Sequence, residues 1–429
     1  MANQILHSID EIPHLSEKPL KRAFVLNTGC IRRALDTTKI YHYLMANGWS
    51  FTNNISAAHL VIVTTCSAVG RSEELSVIAL KKVARNISKD TKLIIAGCLP
   101  KVNPDKIRSV PGLGPFEFVP TRSLEKFDSV LNSTVKFDDL PDANMVTNEL
   151  GLMDYVLAYR LFRNSAFVGL YKKLSPSHLF LRSIIYLSES LNKLKQNVGL
   201  PAREKIVPYY NIRIAEGCAF ACSFCCIRFA TGRVSSKPID EIEQEFKRGV
   251  AQGHRIIQLV CEDVGCYGID IKKTFPQLLR RLLSVEGDYQ IVMIDFGGYW
   301  LVKYYDELRE LFLMHPEKIR ELYVAIQSGS NNILKSMKRP ERIEDVKYKL
   351  RELKREMPHL ILRTTVIIGF PGESEEDFRE TIQAIREIDF AAVELNRYED
   401  RPGTVSSMKE NKVPPEVIER RIKEIRQYC

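Results

Sequence analysis

The sequence predicts an α/β protein. A parallel-sheet domain of Rossmann or flavodoxin type is expected over 22–140, a helical insert over 144–206, and a partial (β/α) barrel of TIM type over 207–429. Three observations predict this. Short, almost unbroken apolar runs alternate with amphipathic stretches near the N-terminus, as in sheets buried on both faces. The same alternation resumes after Ile206 and repeats to the end of the chain. Between them, the apolar spacing is that of helices.

In the first region, Ala23-Phe24-Val25-Leu26-Asn27 reads as a strand, followed by a helix from about Asp36 to Asn47 with Gly48 as its stop. His59 to Thr64 and Lys92 to Ala96 are two more strands, separated by a helix over about 72–85, and Phe116 to Pro120 is a candidate fourth. Cys30, Cys66 and Cys98 each stand just after one of these strands. A parallel sheet gathers its carboxyl ends on one edge, where ligands bind, so three residues remote in sequence are expected to meet there. The alternative is three unrelated core thiols.

In the insert, Met153, Val156, Leu157 and Leu161, and then Phe180, Ile184, Leu187, Leu191 and Leu194, recur at helical spacing. Nine basic residues, Arg160, Arg163, Lys172 and Lys173 among them, stand against four acidic ones. Such a hairpin either packs on the core or docks a substrate. In the third region, strands are expected at 210–215, 256–260, 290–295, 322–326, 361–368 and 391–396. Helices are expected at 239–252, 274–284, 303–313, 331–337, 343–356, 375–387 and 415–427.

The loop after the first barrel strand holds Cys218, Cys222 and Cys225. Three thiolates in one short loop leave one iron of a cubane without a protein ligand and open to a small molecule. Structural zinc, the alternative, usually completes a tetrahedron of four ligands. Cys226, Cys261, Cys266 and Cys429 are expected not to be ligands. Ten cysteines among 429 residues are too few for a disulfide scaffold and suit a reducing, cytoplasmic setting. Met1 to Lys21 is polar and of mixed charge, so no signal peptide is expected, and no uncharged apolar run reaches membrane-spanning length. The net charge of +9 permits an acidic partner such as RNA without identifying one.

The ordered motifs resemble the radical S-adenosylmethionine (SAM) methylthiotransferase family. They are Glu216-Gly217-Cys218 through Cys225, Tyr267-Gly268, Gln327-Ser328-Gly329-Ser330, Met337-Lys338-Arg339, Ile368-Gly369-Phe370-Pro371-Gly372-Glu373 and Arg401-Pro402-Gly403-Thr404, preceded by the three strand-end cysteines. The resemblance implies a transferase with two [4Fe–4S] clusters and SAM. One cluster would sit on Cys218, Cys222 and Cys225 and an auxiliary one on Cys30, Cys66 and Cys98. Phe224, Gln327, Ser328, Gly369 and Gly372 would contact SAM, with Arg213, Glu262 and Asp263 near the same mouth. A low-potential electron donor and a sulfur donor would be required. Ile31-Arg32-Arg33 replaces the usual Gln-x-Asn, Thr231-Gly232 the usual Arg-Gly, Cys261-Glu262 the usual Gly-Gln, and Phe296 to Tyr299 a Ser-x-His-Pro stretch. With the chain stopping at Cys429, no C-terminal TRAM barrel is expected. A peptide or protein substrate is therefore expected, with a tRNA adenosine as the alternative. A cobalamin-type radical SAM enzyme would bring an Asp-x-His-x-x-Gly that is missing here. A plain electron carrier would leave SAM intact.

Overall fold

The computed structural model describes residues 21–146 and 209–429. All but the first three residues of the expected insert lie outside the described residues, as do residues 1–20.

The first sheet contains β1 (Arg22–Asn27), β2 (Ser50–Phe51), β3 (Leu60–Thr65), β4 (Lys92–Gly97) and β5 (Glu117–Pro120), in the order β2-β1-β3-β4-β5, with every pairing parallel. Successive strand residues face opposite sides. Val25, Leu60, Ile62, Ile94 and Val119 pack with Tyr43 and Leu44 of the Ile31–Ala46 helix, while Val61, Val63, Leu93 and Ile95 pack with Leu80 and Val83 of the Gly70–Asn86 helix. Burial on both faces is why these strands read as continuous apolar runs.

The second region starts with β6 (Tyr210–Arg213) and a small antiparallel pair, β7 (Ala215–Glu216) and β8 (Ser235–Ser236). It continues through β9 (Ile256–Val260), β10 (Gln290–Gly297), β11 (Ile319–Gln327), β12 (Ile361–Ile368) and β13 (Ala392–Arg397). The six main strands lie parallel and in chain order, β6-β9-β10-β11-β12-β13, with helices between them: a partial (β/α) barrel. Leu322, Val324 and Ile326 alternate into the helix-covered core. The opposite face of the sheet is polar: Tyr323 donates to Glu394 (2.8 Å), Arg363 to Glu321 (3.0 Å) and Asn396 to Thr365 (2.8 Å).

The Ile31–Ala46 helix differs from its expected start near Asp36. It begins directly after Cys30, whose extended backbone (φ −71°, ψ −179°) caps it, so Arg32 and Arg33 fall in its first turn. The expected 303–313 helix is found at Tyr305–Met314, and a short helix that was not expected, Gly298–Lys303, precedes it. Among the described residues no helix is long and apolar enough to cross a membrane.

Candidate functional site

Both sheets present their carboxyl ends to a common seam. In the first sheet, β1, β3 and β4 deliver Cys30, Cys66 and Cys98 to one place. Gly97 makes the last placement possible: it takes φ +96°, and a Cβ there would sit 2.3 Å from the Thr65 carbonyl oxygen. That carbonyl accepts from the Cys98 N–H at 3.0 Å. The Cys66 thiol bonds the Cys30 sulfur. This contact and the nearby Arg32 and Arg33 hold Cys30 well below the usual thiol range, and the same contact, with burial, pushes Cys66 up. Burial pushes Cys98 up to about 11 against the pull of Arg33.

In the second region, the Glu216-Gly217 turn leads into the loop of Cys218, Cys222 and Cys225. Gly217 (φ +80°) passes so close to Arg233 that a Cβ would lie 2.3 Å from its carbonyl oxygen. Burial raises all three thiols most; Cys222 adds to the rise of Cys218 and of Cys225, which is pushed up to about 12. All six of these cysteines are free. Among the described residues no three His, Cys, Asp or Glu side chains form a ready cage for a single metal ion. A cubane instead draws each thiolate to a different iron.

The remaining cysteines are engaged elsewhere. Cys226 is buried and its thiol donates to the Ser67 carbonyl (3.2 Å), Cys261 and Cys266 bond each other in the core, and Cys429 donates to Ile425 (3.2 Å).

Arginines that are buried or largely shielded join the two regions. Arg401 donates through Nη2 to the Ser67 carbonyl (2.8 Å), the Ser67 hydroxyl (2.7 Å) and Glu73 (2.5 Å), and also meets the Cys226 sulfur. One guanidinium thus ties the residue after Cys66 to the residue after Cys225. Arg32 donates to the Cys261 carbonyl (2.9 Å) and Asp295 (2.8 Å), and Arg213 donates to Asp36 (2.5 Å), Glu216 (2.6 Å) and the Arg32 carbonyl (3.0 Å). Glu262 accepts from the Gly217 N–H (2.7 Å). Asp263 accepts from Gly297, Gly265 and the Trp300 indole, and burial raises its carboxyl to about 6. Arg213, Glu262 and Asp263 are therefore spent in bonds within the protein.

The expected SAM contacts divide in two. Phe224 is half-buried against Ile333, Met337, Ile367, Phe370 and Tyr398. Gln327 ends β11 with φ +64°, and Asp295 in neighbouring β10 takes φ +54°; a register shift marks each strand just before them. Left-handed non-glycine backbone beside strand irregularities concentrates at working sites. Ser328, Gly369 and Gly372 are all packed closely against protein atoms. Ser328 is fully buried, with its hydroxyl against Thr381 (3.3 Å) and accepting from the Ser330 N–H (3.2 Å). A Cβ on Gly369 would strike Ile418 (2.4 Å) and one on Gly372 would strike Asn411 (2.5 Å), so these glycines admit neighbouring protein atoms. A cavity of about 550 Å³ opens beside the seam, lined among others by Asp36, Lys39, Arg122, Asp142, Arg213 and Lys237; no cysteine lines it.

Sequence reasoning passed over Ser67, Glu73 and the role of Arg33. The partners that give them a role, Arg401 for Ser67 and Glu73 and Cys98 for Arg33, lie far away in the chain, and no local pattern marks them.

Two family models match: the radical SAM superfamily over residues 212–385, and an uncharacterized protein family, UPF0004, over residues 22–113. The chain is 27% identical over 406 residues to a probable threonylcarbamoyladenosine tRNA methylthiotransferase of Pyrococcus abyssi, covering 93% of this chain and 82% of the relative. It is 26% identical over 409 residues to the human threonylcarbamoyladenosine tRNA methylthiotransferase, covering 95% of this chain and 62% of the relative. It is 34% identical over 239 residues to the ribosomal protein uS12 methylthiotransferase RimO of Thermotoga maritima, covering 55% and 54%. Among solved structures, the radical SAM methyltransferase TsrM of Kitasatospora setae, with cobalamin and a [4Fe-4S] cluster bound, superposes with a TM-score of 0.56 at 13% identity over 91% of this chain and 77% of that one, a likeness of fold. The chain thus carries a radical SAM domain and a UPF0004 domain and is similar along its length to radical SAM methylthiotransferases, transferases that use SAM and two [4Fe–4S] clusters.

Proposed function

We propose that this chain attaches a methylthio group to a carbon of a tRNA adenosine. In this reading Cys218, Cys222 and Cys225 hold the SAM-binding cluster and Cys30, Cys66 and Cys98 hold the auxiliary one. The carrying observation is the pairing of two cysteine triads across one seam, each at the carboxyl edge of its own parallel sheet. The donor sets suit cubanes: each triad offers three free thiols, and the neighbouring cysteines are turned to other partners.

When bound, these groups supply one-electron cleavage of SAM and a sulfur for transfer. The chain's own residues orient and enclose. Phe224 offers an aromatic face beside the core loop, and Gln327 offers its amide at a strand end. Ser328, Gly369 and Gly372 shape the backbone around them. Asp295, Tyr323 and Glu394 make the barrel's polar lining, a surface for a substrate's hydrogen-bonding groups. The division into 22–140, 144–206 and 207–429 belongs to the same reading, as do a cytoplasmic setting, a low-potential electron donor and a sulfur donor.

A tRNA substrate is supported by relatives with that named activity that align over 93% and 95% of this chain. The second reading, a peptide or protein side chain, draws on the more identical but shorter alignment with the ribosomal-protein enzyme. The test is anaerobic incubation of reconstituted protein with SAM, sulfide, reductant and either threonylcarbamoyladenosine-containing tRNA or ribosomal protein uS12. Digested products are read by mass spectrometry. A methylthio adduct on the nucleoside supports the proposal; an adduct only on the protein replaces it with the second reading; deoxyadenosine with neither adduct refutes both substrates.

A further inference from the structure

The geometry points to Arg33 as a positioning residue that sets its charge against the anionic iron–sulfur group of the Cys30, Cys66 and Cys98 centre and raises its reduction potential. This role rests on the ligand assignment proposed above.

Arg33 stands where the family pattern has asparagine, and the protein makes room for it. Gly29 has no side chain, and a Cβ there would lie 2.4 Å from the Arg33 Cβ. The arginine is only 2% exposed. Its Nη1 reaches toward the Cys98 sulfur at 3.9 Å, and its Nη2 is pinned by Asp36 at 3.1 Å. Asp36 is itself fixed by Arg213 at 2.5 Å, so the guanidinium is braced from behind. Arg32 differs: it also stands near Cys30, but its hydrogen bonds go to Asp295 and the Cys261 carbonyl and not to a sulfur.

One donor remains unused. The Arg33 Nε–H is buried without a hydrogen-bond partner. A buried charged donor left unpaired is costly, so its retention needs an acceptor. A cubane on the three thiols would bring inorganic sulfides and negative charge beside this guanidinium, giving the spare donor a partner of the right sign. Reduction adds one more negative charge to the centre. A cation fixed in a poorly polarisable interior stabilises that added charge, and hydrogen bonds to ligating sulfur act in the same direction.

The experiment uses the full chain with Cys218, Cys222 and Cys225 replaced by alanine, which leaves the N-terminal centre alone. Arg33→Gln and Arg33→Lys are compared in that background by iron content and by redox titration followed with electron paramagnetic resonance. Iron is expected to stay near about four per chain. The midpoint potential is expected to fall in Arg33→Gln and to fall less in Arg33→Lys, which keeps the charge. An unmoved midpoint with full iron overturns the role. Loss of iron from both variants also overturns it, because Arg33 would then be a support of the fold alone. In the reciprocal background, with Cys30, Cys66 and Cys98 replaced, Arg33→Gln should leave the other centre's midpoint in place; an equal shift there would mean a general loosening. Failure of the ligand assignment shows separately, as absence of iron from the first background with Arg33 intact.

Discussion

Gly97→Ala isolates the demand that the first sheet makes on its ligand loop. Both Gly97 and Gly112 have positive φ, +96° and +72°, but a Cβ at Gly112 meets nothing within 4 Å. Forcing alanine into left-handed backbone costs about 1–2 kcal/mol at either position. At Gly97 the new methyl would also stand 2.3 Å from the Thr65 oxygen and 2.9 Å from the Thr65 nitrogen. Relief requires the two strands to part by about 1 Å, which is not cheap in a close-packed sheet. The displaced carbonyl is the acceptor for the Cys98 N–H, so that bond, worth about 1 kcal/mol, is strained as well. The expected costs are about 1–2 kcal/mol for Gly112→Ala and about 3–5 kcal/mol for Gly97→Ala. Urea unfolding followed by circular dichroism measures both, and iron per chain reports whether Cys98 still reaches its partners. Equal costs for the two variants, or wild-type iron in a Gly97→Ala protein of unchanged stability, would refute the steric reasoning.

Other expectations follow from the same geometry. Replacing Cys30, Cys66 and Cys98 together with alanine should remove about half of roughly eight irons while SAM cleavage to deoxyadenosine persists; full iron retention would contradict the assignment. Cys226→Ser should keep the core cluster's absorption spectrum, since this thiol is bonded to Ser67 rather than turned to the loop; loss of the spectrum would show that the wrong neighbour was chosen. Burial alone would raise the Asp142 carboxyl, but Lys237, Arg213 and Lys39 hold it well below the usual range. A depressed carboxyl contributes stability that is present above its unfolded pKa, about 4, and is lost as pH falls through the folded value. In the cluster-free protein Asp142→Asn should therefore cost about 1 kcal/mol at neutral pH and less in acid, by urea unfolding at several pH values; a pH-independent cost would refute the sign.

Much of the architecture was legible because each strand is a short apolar run that ends at a chemically distinctive residue. Cys30, Cys66 and Cys98 follow their strands by three residues or fewer, so topology alone predicted their meeting. The start of the first helix was not legible: Asp36 looks like an acidic opening turn, whereas Cys30 caps the helix and Asp36 is the inner partner of Arg33 and Arg213. Arg32 finds Asp295 263 residues away, and no local pattern encodes such a pairing. The glycines of the Gly369 to Gly372 turn were visible as required; what they make room for, Ile418 and Asn411, was not. Ser328 illustrates the same limit, since a hydroxyl at a strand end reads alike whether it faces a ligand or the neighbouring Thr381.

The bond between Glu73 and Arg401 has a consequence for how the sequence can drift. The two residues are 328 positions apart and both are almost sealed from water. Removing Glu73 alone leaves Arg401 a buried charge without its carboxylate at a cost of about 3–5 kcal/mol, whereas removing Arg401 leaves Glu73 still paired with Lys106 at 2.9 Å. Relatives should therefore keep Arg401 only where the carboxylate at position 73 is kept, and a library varying the two positions together should return few solutions with the arginine alone. Such linked inheritance would mark the seam between the two sheets as one evolutionary unit, although its halves stand near opposite ends of the chain.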